Sequence, residues 1–202
     1  MTNISPSTDR SIPYQYDVKN LESKVKNKTE LQKKLGWPTE KKRAMFCLPA
    51  GMTDELGGEL LMKIMEGILS LPLELVIVGR GTKEYGKEFT NLASDKSHRI
   101  AIIPDKPESI CEMYAACDGA LFFKDPSGLR ELKECLQYGV VPISPESKKL
   151  EPYDPIQESG FAFTYDKPDS WHCFAAIVRA LETQKFPFDW RTVQKHCMET
   201  IL

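Results

Sequence analysis

The sequence lacks the features that mark nucleic-acid-binding, membrane and secreted proteins. Its 27 Lys and Arg residues are outnumbered by 29 Asp and Glu residues, so a net charge of −2 leaves no basic excess for a nucleic-acid surface. No apolar run approaches the roughly 20 residues that a membrane-spanning helix needs. The first residues, MTNISPSTDRSIPYQY, lack the apolar core of a signal peptide. We therefore expect no nucleic-acid partner, no membrane partner and a cytoplasmic location.

Signatures of metal sites, disulfide frameworks and nucleophilic catalysis are also missing. No two cysteines form a Cys-x-x-Cys pair, and we expect reduced, buried thiols and no metal site. The histidines are scattered, and His172 is expected to be a surface residue. No nucleophile elbow or paired-carboxylate pattern is found. The residues concerned are Cys47, Cys111, Cys117, Cys135, Cys173 and Cys197, with His98, His172 and His196.

From residue 44 onward, short apolar runs alternate with amphipathic segments. The runs predict strands and the amphipathic segments predict helices. In the last helix, Trp171, Phe174 and Ile177 are expected to point inward. Such alternation predicts a single doubly wound, Rossmann-like α/β domain with a parallel sheet. The predicted strands are 44–49, 73–78, 99–103, 119–123, 140–143 and 161–163, and the predicted helices are 59–70, 84–93, 108–117, 128–138 and 169–181.

The polar N-terminal part precedes this pattern. Residues 1–38 are predicted to comprise an extended arm with little structure of its own, up to about residue 20, and a charged helix at 20–35. That helix offers one narrow apolar stripe, which includes Val25, and its other faces are expected to lie in water. Residues 39–202 are then the α/β domain.

Ligands of open parallel sheets bind beyond the carboxyl ends of the strands. Here the loops at 50–58, 79–83, 104–107 and 124–128 occupy that edge. The glycine-rich loop AGMTDELGG at 50–58 either cradles a phosphate with its amides or forms a plain tight turn. The segment Gly79-Arg80-Gly81, which directly follows a predicted strand, is more typical of a turn than of a ligand-binding loop.

The segment FFKDPSGLRELKE at 122–134 is the most informative. Asp125 or Ser127 could cap the following helix, whose N-terminus could hold a diphosphate. Glu134 could then hydrogen-bond a ribose hydroxyl. A capped helix with a solvated Glu face explains the same residues equally well.

Several motifs resemble one family of enzymes. They are SPSTDRSIPYQYDVKNLESKVKNKTELQKKLGWP, LELVIVGRG, MYAACD, QYGVVPIS and ESGFAFTYD, and the resemblance extends over nearly the whole chain. The chain resembles the C-terminal half of bacterial glycogen synthases and plant starch synthases, which are retaining glycosyltransferases of the two-lobed GT-B fold. The resemblance implies that this lobe holds ADP-glucose, without a metal or other cofactor, and that an N-terminal lobe absent from this sequence holds the α-glucan acceptor. A plant-type relative would be plastidial.

The same resemblance implies the site residues. Asp125 stands for the family's acidic donor contact, which we take as the catalytic position. The implied contacts to the nucleotide-sugar are Tyr114, Ser127, Gly128, Leu129 and Glu134.

The sequence departs from the family where the donor's diphosphate would be neutralised. The family's Arg and Lys in the motif GRLTxQKG correspond to Gly51 and Leu56. Since the departing diphosphate needs positive charge, two functions stay open. One is a donor-binding lobe that is inactive alone, and the other is a non-catalytic relative that serves as a nucleotide-binding or interaction module. Arg80, Lys124 or Arg130 could replace the missing cations from other loops.

Overall fold

Six parallel strands form the centre of the computed structural model, which describes residues 5–96 and 98–200. Their order across the sheet is β3-β2-β1-β4-β5-β6, and every neighbouring pair is parallel. The predicted doubly wound α/β fold is therefore confirmed. The strand order reverses between β1 and β4, which is where ligands bind in such sheets. The strands are β1 Ala44–Leu48, β2 Leu73–Val78, β3 Ile100–Ile103, β4 Gly119–Leu121, β5 Val141–Pro145 and β6 Phe163–Tyr165.

Helices connect and cover these strands. Helix α1 packs against α4, α2 against α6, and α5 against α7. Helix α7, which begins with Pro187 at its first turn, was not predicted from the sequence. The helices are α1 Lys24–Lys34, α2 Gly58–Ser70, α3 Lys83–Asp95, α4 Pro107–Ala116, α5 Arg130–Gln137, α6 Ser170–Gln184 and α7 Pro187–Glu199.

Helix α1 is held by polar side chains rather than by an apolar stripe. Lys24 Nζ donates to the carbonyl of Tyr114 at 2.6 Å and to that of Tyr138 at 3.0 Å, at the C-terminal ends of α4 and α5. Lys28 Nζ pairs with Asp118 Oδ2 at 2.5 Å. The last carbonyls of a helix lack partners within it, and a long lysine side chain can reach them. The expectation of polar faces in water was wrong for α1, whose buried polar residues are Lys24, Asn27, Lys28, Thr29 and Gln32.

Two further expectations about exposure were wrong. Val25 is 36% exposed on α1. Trp171 is 83% exposed because it lies in the first turn of α6 on the side away from the sheet. The inward face of that helix includes Ile177, which is buried as predicted.

The N-terminal arm is structured over residues 5–20. Tyr16 donates its hydroxyl to the carbonyl of Tyr138 at 2.8 Å, and its ring is buried. The backbone of Tyr14 exchanges two hydrogen bonds with the side chain of Asn27. The prediction of little structure was therefore wrong for these residues.

The cysteines are free thiols, as predicted, and five of the six are buried. Over residues 5–96 and 98–200, the His, Cys, Asp and Glu side chains form no group of three that could hold a metal ion. Every helix in this described part is too short or too polar to cross a lipid bilayer.

Glu74 on β2 is a carboxyl group in the core. It is 0% exposed, and the Gln32 side-chain amide donates to both of its oxygens, at 3.1 and 2.9 Å. Desolvation raises the pKa of Glu74 to about 7. The folded protein therefore binds a proton more tightly than the unfolded chain does.

We predict that Glu74→Gln gains stability relative to the parent chain as pH rises. The stability linked to this proton is fully present below about pH 4.5 and is lost as pH rises through about 7. In urea titrations at pH 5 and pH 8, the variant should improve relative to the parent by up to about 3 kcal/mol. Glu88→Gln, an exposed control, should show no such change. An equal stability difference at both pH values would contradict the prediction.

Candidate functional site

The loops that follow β1 and β4 touch each other at the carboxyl edge of the sheet. Gly57 has φ +90°, and a Cβ there would lie 2.6 Å from the Cβ of Phe123. Between the two loops remains a recess of about 10 Å³. The loops are thus packed together at the point where strand order reverses. The recess is lined by Ala50, Gly51, Met52, Leu56, Leu121, Phe122, Phe123, Lys124 and Leu129.

The loop after β1 is also clamped to the loop after β2. Gly51 has φ +70°, and a Cβ at this position would lie 2.1 Å from the carbonyl oxygen of Arg80. Met52 donates its amide to that same oxygen at 3.1 Å and accepts the amide of Thr82 at 3.2 Å. A side chain at residue 51 therefore needs the backbone to move.

The amides of the glycine-rich loop are largely used within it. Leu56 and Gly58 donate to the carbonyl of Thr53, at 3.2 and 3.0 Å, and Gly57 donates to that of Asp54 at 3.0 Å. A phosphate cradle needs amides that point outward and are free to donate. Of the two interpretations left open for this loop, the geometry favours the tight turn.

Arg80 is committed to two carboxylates. Its guanidinium forms a bidentate pair with Asp105, at 2.8 and 2.6 Å, and a third bond to Glu131 Oε1 at 2.7 Å. Arg130 also contacts Glu131 Oε1, at 3.3 Å. The pairing with Arg80 lowers the pKa of Asp105. The positive charge of Arg80 is therefore balanced by carboxylates of the protein. Because these partners lie far from Arg80 in the sequence, no local sequence motif predicted the pairing.

Asp125 folds a turn of its own. Its Oδ1 accepts the amide of Ser127 and its Oδ2 accepts the hydroxyl of Ser127, both at 2.9 Å. Leu129 donates its amide to the carbonyl of Pro126 at 2.8 Å. Asp125 caps the short 3-10 turn at Pro126–Gly128, whereas α5 begins at Arg130. The turn itself thus uses two of the amides expected to face a diphosphate.

Lys124 directly precedes this turn, and Lys149 contacts it. Lys149 Nζ donates to the carbonyl of Ser127 at 2.9 Å, a contact that sequence reasoning missed. Lys124 is exposed, lines the recess and forms no ion pair with any residue in the described part of the chain. Of the three cations considered as substitutes, Lys124 is therefore the one available beside the recess.

The structure brings Tyr114 and Glu134 together. The Tyr114 hydroxyl donates to Glu134 Oε2 at 3.0 Å, and burial raises the pKa of Tyr114, so the hydroxyl keeps its proton. The ring of Tyr114 is 1% exposed and packs against Tyr138 at 5.7 Å between centroids. No face of that ring is open to a ligand in this arrangement, so its stacking on a base stays a prediction. Glu134 is partly exposed.

Comparison with known proteins relates this arrangement to one group of enzymes. No family model matches the chain. The glycogen synthase of Thermotoga maritima is 31% identical over 206 residues, covering 98% of this chain and 42% of that protein. The glycogen synthase 1 of Methylococcus capsulatus is 32% identical over 205 residues, covering 95% of this chain and 41% of that protein. The chain is homologous to the C-terminal half of the glycogen synthases. It spans less than half the length of these relatives.

Solved structures agree on the fold. The catalytic domain of starch synthase IV from Arabidopsis thaliana, bound to ADP and acarbose, superposes with a TM-score of 0.84 at 22% identity, over 98% of this chain and 43% of that one. HepE from Anabaena, in complex with UDP and glucose, gives 0.64 at 15% identity, over 91% and 49%. The fold is that of the C-terminal domain of a GT-B glycosyltransferase.

We predict that Gly51→Arg destabilises the protein, because the family's residue type cannot occupy this backbone. The positive φ and the contact with Arg80 should together cost about 3 kcal/mol in urea unfolding. Leu56→Lys, at the other departed position, should cost less than about 1 kcal/mol because Leu56 is partly exposed and a lysine can extend into water. A Gly51→Arg variant as stable as the parent would show that the clamp is not a constraint.

Proposed function

We propose that this chain is the nucleotide-sugar-binding lobe of a glycogen-synthase-type protein, with ADP-glucose as donor and an α-glucan as acceptor. The acceptor would be held by the part of the relatives that this chain does not match. One observation carries the proposal. The turn at 125–129 follows β4, beside the point of strand reversal, and the Tyr114–Glu134 pair joins α4 to α5, in a chain about 30% identical to glycogen synthases.

Glu134 is the residue best prepared to hold the nucleoside. Tyr114 fixes Glu134 Oε2, whereas Oε1 has no partner in the described part of the chain. A ribose hydroxyl can donate to that second oxygen, and hydrogen bonds to a carboxylate are among the stronger ones. Lys124, beside the recess, is the cation that can approach a phosphate. These residues bind and orient the donor, and no metal or cofactor is part of the proposal.

The same site supplies little charge for the transfer step. When the glucosyl bond breaks, negative charge develops on the diphosphate, and enzymes of this kind stabilise it with cations and amides. Gly51 and Leu56 carry no charge. The positive charge of Arg80 is balanced by Asp105 and Glu131. We therefore propose that the chain binds ADP-glucose weakly and does not transfer glucose by itself.

A second candidate function is an interaction module that binds no nucleotide. The internally bonded amides of residues 56–58 and the recess of about 10 Å³ favour it. Calorimetric titration with ADP and with ADP-glucose separates the two candidates. Saturable binding supports the donor lobe, whereas no heat at millimolar nucleotide contradicts it and supports the interaction module.

We predict that Glu134→Ala weakens ADP binding about tenfold, because the ribose loses a charge-assisted hydrogen bond. Lys133→Ala, exposed on the same helix, is the matched control and should bind ADP like the parent. Tyr114→Phe removes only the hydroxyl that orients Glu134 and should give a smaller loss. Unchanged affinity in Glu134→Ala would exclude this residue from the site.

A transfer assay tests the charge argument separately. The chain is mixed with the N-terminal lobe of a bacterial glycogen synthase, and incorporation of labelled glucose from ADP-glucose into glycogen is followed. We expect no incorporation above that of the N-terminal lobe alone. Clear incorporation would show that cations from other loops replace those missing at Gly51 and Leu56.

A further inference from the structure

A cavity of about 620 Å³ lies at the amino edge of the sheet, between α1 and the start of α7. Lys42 and Asp118, which precede β1 and β4, line it, so it lies at the opposite end of these strands from the recess described above. The two share no lining residue. The cavity is lined by Leu21, Glu22, Lys24, Val25, Lys28, Lys41, Lys42, Asp118, Gln184, Lys185, Pro187, Trp190, Arg191 and Gln194.

The rim of this cavity has uncompensated positive charge. Lys28 is paired with Asp118, and Lys185 with Glu182. Three other lining cations are exposed and form no ion pair with any residue between 5 and 200 whose contacts the structure describes. They are Lys41, Lys42 and Arg191. Glu22 is the one further acidic residue that lines the described cavity, so positive charge prevails there.

The floor of the cavity is partly apolar, although the buried Lys24, Lys28, Asp118 and Gln194 also line it. Leu21 and Trp190 are buried, and Val25 and Pro187 complete this surface. Trp190 stacks on Phe163 at 6.0 Å between centroids. Its indole Nε1 is buried and has no hydrogen-bond partner within the described residues. A buried N–H without an acceptor costs free energy.

We infer that this cavity binds an organic phosphate, a small molecule with a phosphate group on a ring-shaped or apolar body. Its volume lies within the range of roughly 300–1,000 Å³ typical of small-molecule sites. Arg191 and the two lysines match the charge and hydrogen-bonding needs of a phosphate, and the floor at Trp190 suits the body. Three cations on a chain of net charge −2 are too few for a nucleic-acid surface. The inference is independent of the proposed donor site.

Phenyl phosphate is a suitable probe because it combines one phosphate with one apolar ring. The indole N–H resonances of a ¹⁵N-labelled sample report where it binds, since Trp190 lines the cavity while the exposed Trp171 does not. We expect a saturable shift of the Trp190 resonance and none for Trp171. Phenol and inorganic phosphate should each bind at least about tenfold more weakly, because each lacks one half of the ligand.

Charge reversal at the rim tests the assignment. The triple variant Lys41→Glu, Lys42→Glu and Arg191→Glu should lower the affinity for phenyl phosphate at least about tenfold. The exposed pair on α3, Lys83→Glu and Lys87→Glu, is the control and should leave it unchanged.

Arg191→Gln alone should weaken binding several-fold, which keeps the test valid if the triple variant does not fold. Equal affinity for phenol and phenyl phosphate, or binding unaffected by Arg191→Gln, would overturn the inference.

Discussion

The contact between Gly51 and the backbone of Arg80 constrains the loops at the carboxyl edge of the sheet. It lets the loop after β1 lie directly on the loop after β2, which requires a residue without a Cβ at position 51. The same contact fixes the backbone from which Arg80 reaches Asp105 and Glu131. One close approach therefore excludes a side chain at residue 51, and Arg80 beside it is neutralised by its own carboxylate partners, Asp105 and Glu131.

The amino edge of the sheet depends on a different device, the two buried lysines of α1. Lys24 binds the carbonyl ends of α4 and α5, and Lys28 binds Asp118, which also accepts the amide of Met45 at the start of β1. Desolvation lowers the pKa of Lys24 to about 8. Burying its charge costs free energy, and the hydrogen bonds to its carbonyl partners offset that cost. Charged side chains at both edges of the sheet are thus paired with other groups of the protein. Lys41, Lys42 and Arg191, which have no ion pair among the described residues, remain on the rim of the amino-edge cavity.

The sequence was sufficient for the fold class and for the relationship to glycogen synthases, because strand–helix alternation and the motifs are local in sequence. It was insufficient wherever a side chain's partner is distant. Burial of Lys24 depends on carbonyls about 90 residues away or more, and Arg80 meets Glu131 across 51 residues. The outward direction of Trp171 depends on where α6 begins relative to the sheet. Gly51 was recognised as a departure from the family, but the backbone contact that requires glycine there was visible only in three dimensions.

The central proposal is that this lobe binds the nucleoside of a nucleotide-sugar but lacks the charge that would hold its diphosphate. Comparing the affinities of adenosine and ADP by calorimetry, at low and at physiological salt, tests it most directly. The account predicts that ADP binds no more than about tenfold tighter than adenosine, with little change in that ratio as salt rises. An ADP affinity more than about a hundredfold above that of adenosine, and falling steeply with salt, would contradict it.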